Sequence, residues 1–440
     1  MACIGKISFI WGVFLLLSLL NVNRTRNLLV SLVSKASSTH VASVFIQTRD
    51  THFVLNGSPF FFNGFNSYWM MHVAVEPSER HKISNVFREA SAAGLNVCRT
   101  WAFSDGGYQP LQISPGVYDE HVFQALDFVV SEARKYGIRL ILSLTNNYQD
   151  YGGRPQYVQW ARSVGVPVNN DDDFYTNAVV KGYYKNYVKK VLTRLNTITG
   201  IAYKDDPTIM AWELINEPRC QVDYSGKTIN VWVQEMGSYV KSIDNKHLLG
   251  IGMDGFYGDS IQDRKQYNPI PGYQVGTDFI SNNLIKEIDF ATIHAYADAW
   301  LPEQNDSSQM AFIQRWLTIH WTDSRTILKK PLIFAEFGKS KKNLGYSLST
   351  GDSFLNFVYT KIYNLARNGG TMGGGLVWQI FDEGMESCYD GYEIVLTQNQ
   401  STTSVIAQQS NKMKALEQTL NSPQGKILSK LNNQSHDKRS

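Results

Sequence analysis

Two glutamates in this chain close short apolar stretches that read as strands. Glu217 lies in Trp212-Glu-Leu-Ile-Asn-Glu-Pro218, and Glu336 lies in Ala335-Glu-Phe-Gly338. Two carboxyls brought together can divide one reaction between a general acid/base and a nucleophile, provided their surroundings hold one protonated and the other ionised. Three other residues, near the ends of two further apolar stretches, stand where they can act on them. Arg99 offers charge and Tyr296 a hydroxyl to hold a carboxylate ionised, and His294 can orient a carboxylate. Strand side chains alternate, so Arg99 and Trp101 share a face, as do His294 and Tyr296. Glu213 shares a face with Glu217 but lies deeper, which reads as a buried structural carboxylate. Strict alternation puts Asn216 and Glu217 on opposite faces. Both reach one ligand only if the strand end twists or bulges.

The elements that must position these residues recur along the chain. Strand candidates cover 60–69, 95–102, 138–145, 209–217, 248–255, 290–296, 332–338 and 374–380. Stretches of helical periodicity cover 78–93, 122–136, 174–199, 228–243, 307–328, 353–368 and 402–420, with a short one near 278–287. Strands alternating with helices imply parallel pairing, and eight such units in one run imply an α/β fold, a single (β/α)8 TIM barrel. Active sites on that fold sit at the C-terminal ends of the strands. Arg99, Trp101, Asn216, Glu217, His294, Tyr296, Glu336 and Trp378 all fall there.

The rest of the chain bounds the reading. Of 440 residues, 43% are hydrophobic and 18% charged, which suits a large core and excludes a disordered chain. Lys6 precedes an uncharged apolar run at 7–20, too short to span a bilayer comfortably, so 1–36 reads as a secretory signal, with cleavage after Ala42 and an uncleaved signal anchor as the alternatives. That segment carries four cations and no acids, so the formal charge of +3 overstates the basicity of the remainder. Nothing suggests nucleic acid. Residues 37–420 read as the catalytic domain and 421–440 as a polar, disordered tail. Outside the signal, Cys98, Cys220 and Cys388 allow at most one disulfide within the chain. Sequons stand at Asn23, Asn56, Asn305, Asn399 and Asn433. The acidic triplet at 171–173 reads as helix capping, His247 and His320 as structural, and Trp316 as helix packing. No metal-ligand cluster is apparent, and no cofactor is expected.

The two glutamate motifs resemble the strand-four and strand-seven signatures of glycoside hydrolase family 5. The resemblance extends in order to Arg99, His294-Ala-Tyr296 and Trp378. It is stronger still to the family's plant endo-β-1,4-mannanases, through Phe62-Asn-Gly-Phe-Asn-Ser-Tyr-Trp69, Asn216-Glu-Pro-Arg-Cys220, His294-Ala-Tyr-Ala-Asp-Ala-Trp-Leu-Pro302 and Gly391-Tyr-Glu-Ile-Val395. Two departures stand out: Tyr148 where those enzymes usually carry Trp, and Ala297 where they usually carry Pro. The resemblance implies a secreted, monomeric, retaining endo-enzyme acting on mannan-type hemicellulose of the plant cell wall. It implies Glu217 as proton donor, with a pKa raised by the Glu336 charge, and Glu336 as nucleophile. Asn216 would bind the sugar 2-hydroxyl and Trp378 would lie under the reacting sugar. Arg219 would bind sugar on the leaving-group side, His294 would orient a carboxylate or hydroxyl, and Trp101 would line the cleft. The alternatives are a β-1,4-glucanase of the same family and a non-catalytic carbohydrate-binding barrel.

Overall fold

Each of the eight apolar stretches contains a strand in the structure, a computed structural model that describes residues 44–270 and 272–422. The strands are β1 (Phe62–Asn66), β2 (Val97–Trp101), β3 (Arg139–Ser143), β4 (Ile209–Glu213), β5 (Leu248–Gly250), β6 (Ala291–Ala295), β7 (Leu332–Phe337) and β8 (Met372–Val377). They form one parallel sheet in the order β5-β4-β3-β2-β1-β8-β7-β6. Two backbone hydrogen bonds bridge the remaining seam. The Asp289 amide donates to the Leu249 carbonyl at 2.8 Å, and the His294 amide donates to the Asp254 carbonyl at 3.0 Å. The sheet is thereby drawn into a barrel.

A helix follows each strand: α1 (Arg80–Ala92), α2 (Glu120–Tyr136), α3 (Ala178–Leu192), α4 (Lys227–Ile243), α5 (Phe279–Asn283), α6 (Asp306–Asp323), α7 (Leu348–Arg367) and α8 (Gln400–Asn421). Local chemistry sets their ends. Asp119 caps α2 by accepting from the His121 amide, and Gly137, at φ 71°, ends it in the left-handed region. The helical stretch expected at 174–199 is split. Asn177 leaves helical geometry after Asp173–Thr176 and accepts from the Val179 and Val180 amides, which starts α3 afresh. The helix α8 reaches Asn421, so the tail expected from 421 begins inside a helix. The segment 1–36, the rest of that tail, and Asn23 and Asn433 lie outside the described residues. No described helix is long and apolar enough to cross a membrane.

The barrel interior changes character along its axis. At the N-terminal end Phe62, Val97, Ile141, Met210, Leu248, Phe290, Ile333 and Leu376 form an apolar plug. An antiparallel hairpin sheet (Gln47–Arg49, His52–Leu55, Ser58–Pro59) closes that end, with Phe53 against Phe62 and Phe290. At the C-terminal end the interior is polar: Asn66, Arg99, Glu213 and Glu336 are all buried. Stability comes from the apolar end and from the layer between strands and helices, which leaves the other end free for charged groups.

Several residues find structural partners. His320 sits between the Trp316 and Gly255 carbonyls, and the Trp316 indole donates to the His294 carbonyl at 3.0 Å, so α6 braces β6. Asp172 stands at the N-cap position of Asp173–Thr176, but its side chain makes no capping bond there. It pairs with Arg154 at 2.6 Å and accepts from the Gln221 and Val222 amides, tying two rim loops together. Cys98, Cys220 and Cys388 are free thiols.

Behind β4, Asp244 accepts from the Trp212 indole at 2.7 Å and lies 2.6 Å from His247 Nδ1. Burial pushes its carboxyl up, but the bonds from His247 and Trp212 outweigh this and hold it at about 2. A depressed carboxyl stabilises the fold above its unfolded value and loses that contribution as pH falls through its folded value. Asp244→Asn should therefore cost roughly 2 kcal/mol at neutral pH and flatten the loss of stability between about pH 4 and 2. Urea unfolding across that range measures it; parallel curves for variant and parent would refute the assignment.

Candidate active site

Arg99 is the centre of the polar end. It projects from β2 into the barrel, 1% exposed, and its guanidinium is shared among four side chains. Two nitrogens contact the Glu213 carboxylate at 2.6–3.0 Å, and the third reaches Glu336 Oε1 at 2.5 Å. The same group donates to Asn216 Oδ1 at 2.7 Å and Asn66 Oδ1 at 3.2 Å. Burial works against the cation, and Glu213 and Glu336 outweigh it, so its pKa is raised. Glu213, fully buried, is the structural carboxylate that the sequence suggested, and the structure pairs it with Arg99. The Glu213 charge lets one cation serve Glu336 as well, without leaving a net positive charge in the barrel.

Both candidate carboxylates depend on backbone irregularities. In β7, Ile333 and Ala335 face the apolar plug, so strict alternation would turn Glu336 outward. The register of β7 shifts against β8 between Phe334 and Phe337, and that of β6 against β7 between Ile293 and His294. This bulge brings Glu336 inside. Glu217 follows β4, where its φ of 47° lies in the left-handed region. Such a conformation costs a β-carbon residue about 1–2 kcal/mol. It resolves the parity problem, since Asn216 and Glu217 now reach the same cleft. The Glu217 amide is held by the Gly252 carbonyl at 2.8 Å. Gly252 itself has a φ of 97°, and a Cβ there would lie 2.2 Å from the Ile215 carbonyl oxygen, so only glycine fits against this turn.

The two carboxylates meet across His294. Its Nδ1 is 2.7 Å from Glu217 Oε1 and 3.6 Å from Glu336 Oε2. One oxygen of each carboxylate and the imidazole nitrogen all lie within 4.8 Å of one another. Glu336 also accepts from the Tyr296 hydroxyl at 2.5 Å. Burial, with the Glu217 charge, leaves its carboxyl raised above the ordinary value although His294, Arg99 and Tyr296 pull it down; the two donors in direct contact, Arg99 and Tyr296, favour the ionised form. For Glu217 the direction differs from the sequence expectation. Burial pushes it up, but the His294 bond and charge, Arg219 and Tyr148 bring it to about 2. His294 moves the other way, raised by both glutamates against its burial. Glu217 and His294 thus hold a proton between them and titrate as a pair. Reasoning from two carboxylates alone omits the base that stands between them.

The other sequence candidates gather on the same rim. Trp378, half-buried at the end of β8, donates to Asp390 at 2.8 Å and stacks on Tyr68 at 13°. Trp101 lies behind it, 5% exposed, 6.3 Å from the Trp378 ring and 5.0 Å below the Arg99 guanidinium. It supports the wall more than it faces the cleft. Asn216 also donates to Asn146 at 3.1 Å. Arg219 pairs with the buried Asp254 at 2.8 Å. Residues that sequence reasoning missed include Asp254, Asp390 and the hydroxyl of Tyr148, which donates to Glu217 Oε2 at 3.0 Å. Asp254 follows the end of β5, Asp390 lies well beyond β8 with no signal of its own, and Tyr148 was marked in the sequence as a ring and not for its hydroxyl. Among the described residues Glu217, His294 and Glu336 are also close enough to share a metal ion. Each is already engaged by Arg99, Tyr296, Tyr148 or another of the three, and a metal there would have to displace or repel a permanent cation.

A carboxylate pair at this spacing, the buried Glu336 gripped by a guanidinium and a phenol and the half-buried Glu217 sharing a proton, can perform nucleophilic and acid/base chemistry at one carbon. Comparison with known proteins points the same way. Residues 43–390 match the model of the family described as GH family 5 beta-mannosidase-like. Mannan endo-1,4-beta-mannosidase 5 of Solanum lycopersicum is 67% identical over 84% of this chain and 89% of its own length. Mannan endo-1,4-beta-mannosidase 7 of Arabidopsis thaliana is 54% identical over 84% of this chain and 85% of its own. Among solved structures, the endo-beta-1,4-mannanase of Thermotoga petrophila superposes with a TM-score of 0.72 at 30% identity, covering 84% of this chain and 79% of that one. The endo-1,4-beta-mannanase of Rhizomucor miehei gives 0.69 at 30%, covering 85% and 99%. On the extent of the family match and these identities, the chain belongs to the β-mannosidase-like members of glycoside hydrolase family 5.

Proposed function

We propose that this protein is an endo-β-1,4-mannanase that cleaves internal linkages of mannan-type polysaccharides with retention of configuration. The observation that carries the mechanism is the approach of one oxygen of Glu217 to within 4.8 Å of one oxygen of Glu336, with Glu336 held by Arg99 and Tyr296. Retaining glycosidases hold their carboxyls ~5–5.5 Å apart, whereas inverting ones need ~6.5–9.5 Å to admit a water.

In the first step Glu336 attacks the anomeric carbon, and the glycosidic oxygen leaves with the proton held between Glu217 and His294. The Glu336 charge disappears into the ester as the negative charge of the Glu217–His294 pair appears. The net charge of the buried cluster is therefore unchanged, and the fixed Arg99–Glu213 pair need not reorganise. In the second step Glu217 takes a proton from water, which attacks the same carbon and releases Glu336. Asn216, oriented by Arg99, binds the 2-hydroxyl, and the Trp378 ring lies under the reacting sugar. Arg219 binds sugar on the leaving-group side. The segment 1–36 directs export to the cell wall.

Release of reducing ends from pure mannan, glucomannan and carboxymethyl-cellulose tests the substrate. Mannan and glucomannan should be shortened rapidly and carboxymethyl-cellulose hardly at all. Turnover of the cellulose derivative with none on mannan would instead establish the glucanase reading.

A further inference from the structure

Tyr148, in the loop after β3, reaches the acid/base directly: its hydroxyl donates to Glu217. The two oxygens of Glu217 have different surroundings. Oε1 is closed off by His294, whose side chain is fully buried. Oε2 faces Tyr148, which is 38% exposed at the open side of the cleft. Oε2 is therefore the oxygen that a glycosidic bond can approach, and the Tyr148 hydroxyl stands 3.0 Å from it.

The ring is not free to wander. The Arg219 guanidinium lies 6.0 Å from the Tyr148 centroid and 5.5 Å from that of Phe256, and Asp254 fixes it from below at 2.8 Å. The charged and titratable groups around Glu217 are then His294 from β6, Glu336 from β7, and Arg219, Asp254 and Tyr148 from the rim loops. Arg99 and Tyr296 act on it through Glu336. Of these, only Tyr148 and His294 hydrogen-bond the Glu217 carboxylate.

We infer that the Tyr148 hydroxyl is a positioning group for the Glu217 cycle, donating to Oε2 so as to favour the ionised carboxylate that must accept a proton from water in the second step. A phenol has one O–H to donate. Toward ionised Oε2 it is a donor; toward protonated Oε2 it must turn away or accept. It therefore discriminates between the two states of Glu217, which an indole without a hydroxyl at this position would not do in the same way. Burial and then the Glu217 charge push the phenol far above its ordinary value, so it keeps its proton throughout the cycle. The inference rests on Glu217 being the acid/base.

The test is the pH dependence of Tyr148→Phe and Tyr148→Trp. Losing a donor to the ionised form raises the pKa that Glu217 governs. With mannopentaose, whose leaving group needs protonation, the basic limb of kcat/KM should move up by roughly half to one pH unit in both variants. With a dinitrophenyl β-mannobioside, whose leaving group needs no proton, turnover reports the second step, and the acidic limb of kcat should move up by a similar amount. A role confined to packing or sugar contact would change KM or kcat with both limbs fixed, and that result would overturn the inference. Glu217→Ala with azide and the dinitrophenyl substrate separates the two levels of argument. Formation of mannobiosyl azide upholds Glu217 as acid/base, so unmoved limbs then refute the Tyr148 role alone. Absence of the azide product removes the Glu217 reading and this inference together.

Discussion

Glu336→Gln should lower turnover of mannan by about 10⁴-fold or more while leaving binding of mannan oligosaccharides nearly intact. The amide keeps the volume of the carboxyl and can still meet Tyr296, but it cannot attack the anomeric carbon. A 10⁴-fold loss corresponds to roughly 5.5 kcal/mol of transition-state stabilisation. Oligosaccharide affinity by calorimetry, measured beside turnover, separates lost chemistry from lost binding. A 2-deoxy-2-fluoro-mannosyl donor should label Glu336 in the parent enzyme and be located by peptide mass. A label on Glu217, or activity within tenfold of the parent, would mean the nucleophile has been misassigned.

Arg99→Met should be the most damaging single change to stability at this end of the barrel. Arg99 is 1% exposed and is the partner of both Glu213, fully buried, and Glu336. Removing one member of a buried ion pair leaves its partners uncompensated, at about 3–5 kcal/mol. Met fills the volume, so the loss reports charge and not a cavity. Activity should fall as well, because Glu336 and Asn216 both lose the donor that orients them. Adding Glu213→Gln to Arg99→Met should recover part of the stability and none of the activity, since it removes a stranded charge without restoring the grip on Glu336. Denaturant unfolding of the four-member cycle measures this. A loss below about 1 kcal/mol in Arg99→Met would show that the pair is balanced by its desolvation.

The amino-acid sequence by itself determined the barrel and brought most of the candidate residues to one rim. Eight apolar stretches alternating with amphipathic ones admit few other folds, because parallel strands need crossover helices. The active-site end of a barrel then follows from chain direction, which is why Arg99, Glu217, His294, Tyr296, Glu336 and Trp378 were legible as one rim. Element ends were less so: Asn177 splits a helix that periodicity alone would continue. Orientation was decided only by the tertiary structure. Period-two alternation would turn Glu336 outward and separate Glu217 from Asn216; a bulge in β7 and a left-handed residue after β4 reverse both. Neither irregularity has a local sequence signal, because each is held by contacts with other strands, such as the Gly252 carbonyl on the Glu217 amide. Electrostatics was likewise a tertiary matter. Protonation depends on distances of a few ångströms between residues up to 237 positions apart, and only the folded chain puts His294 between the two glutamates and the Tyr148 hydroxyl against one of them.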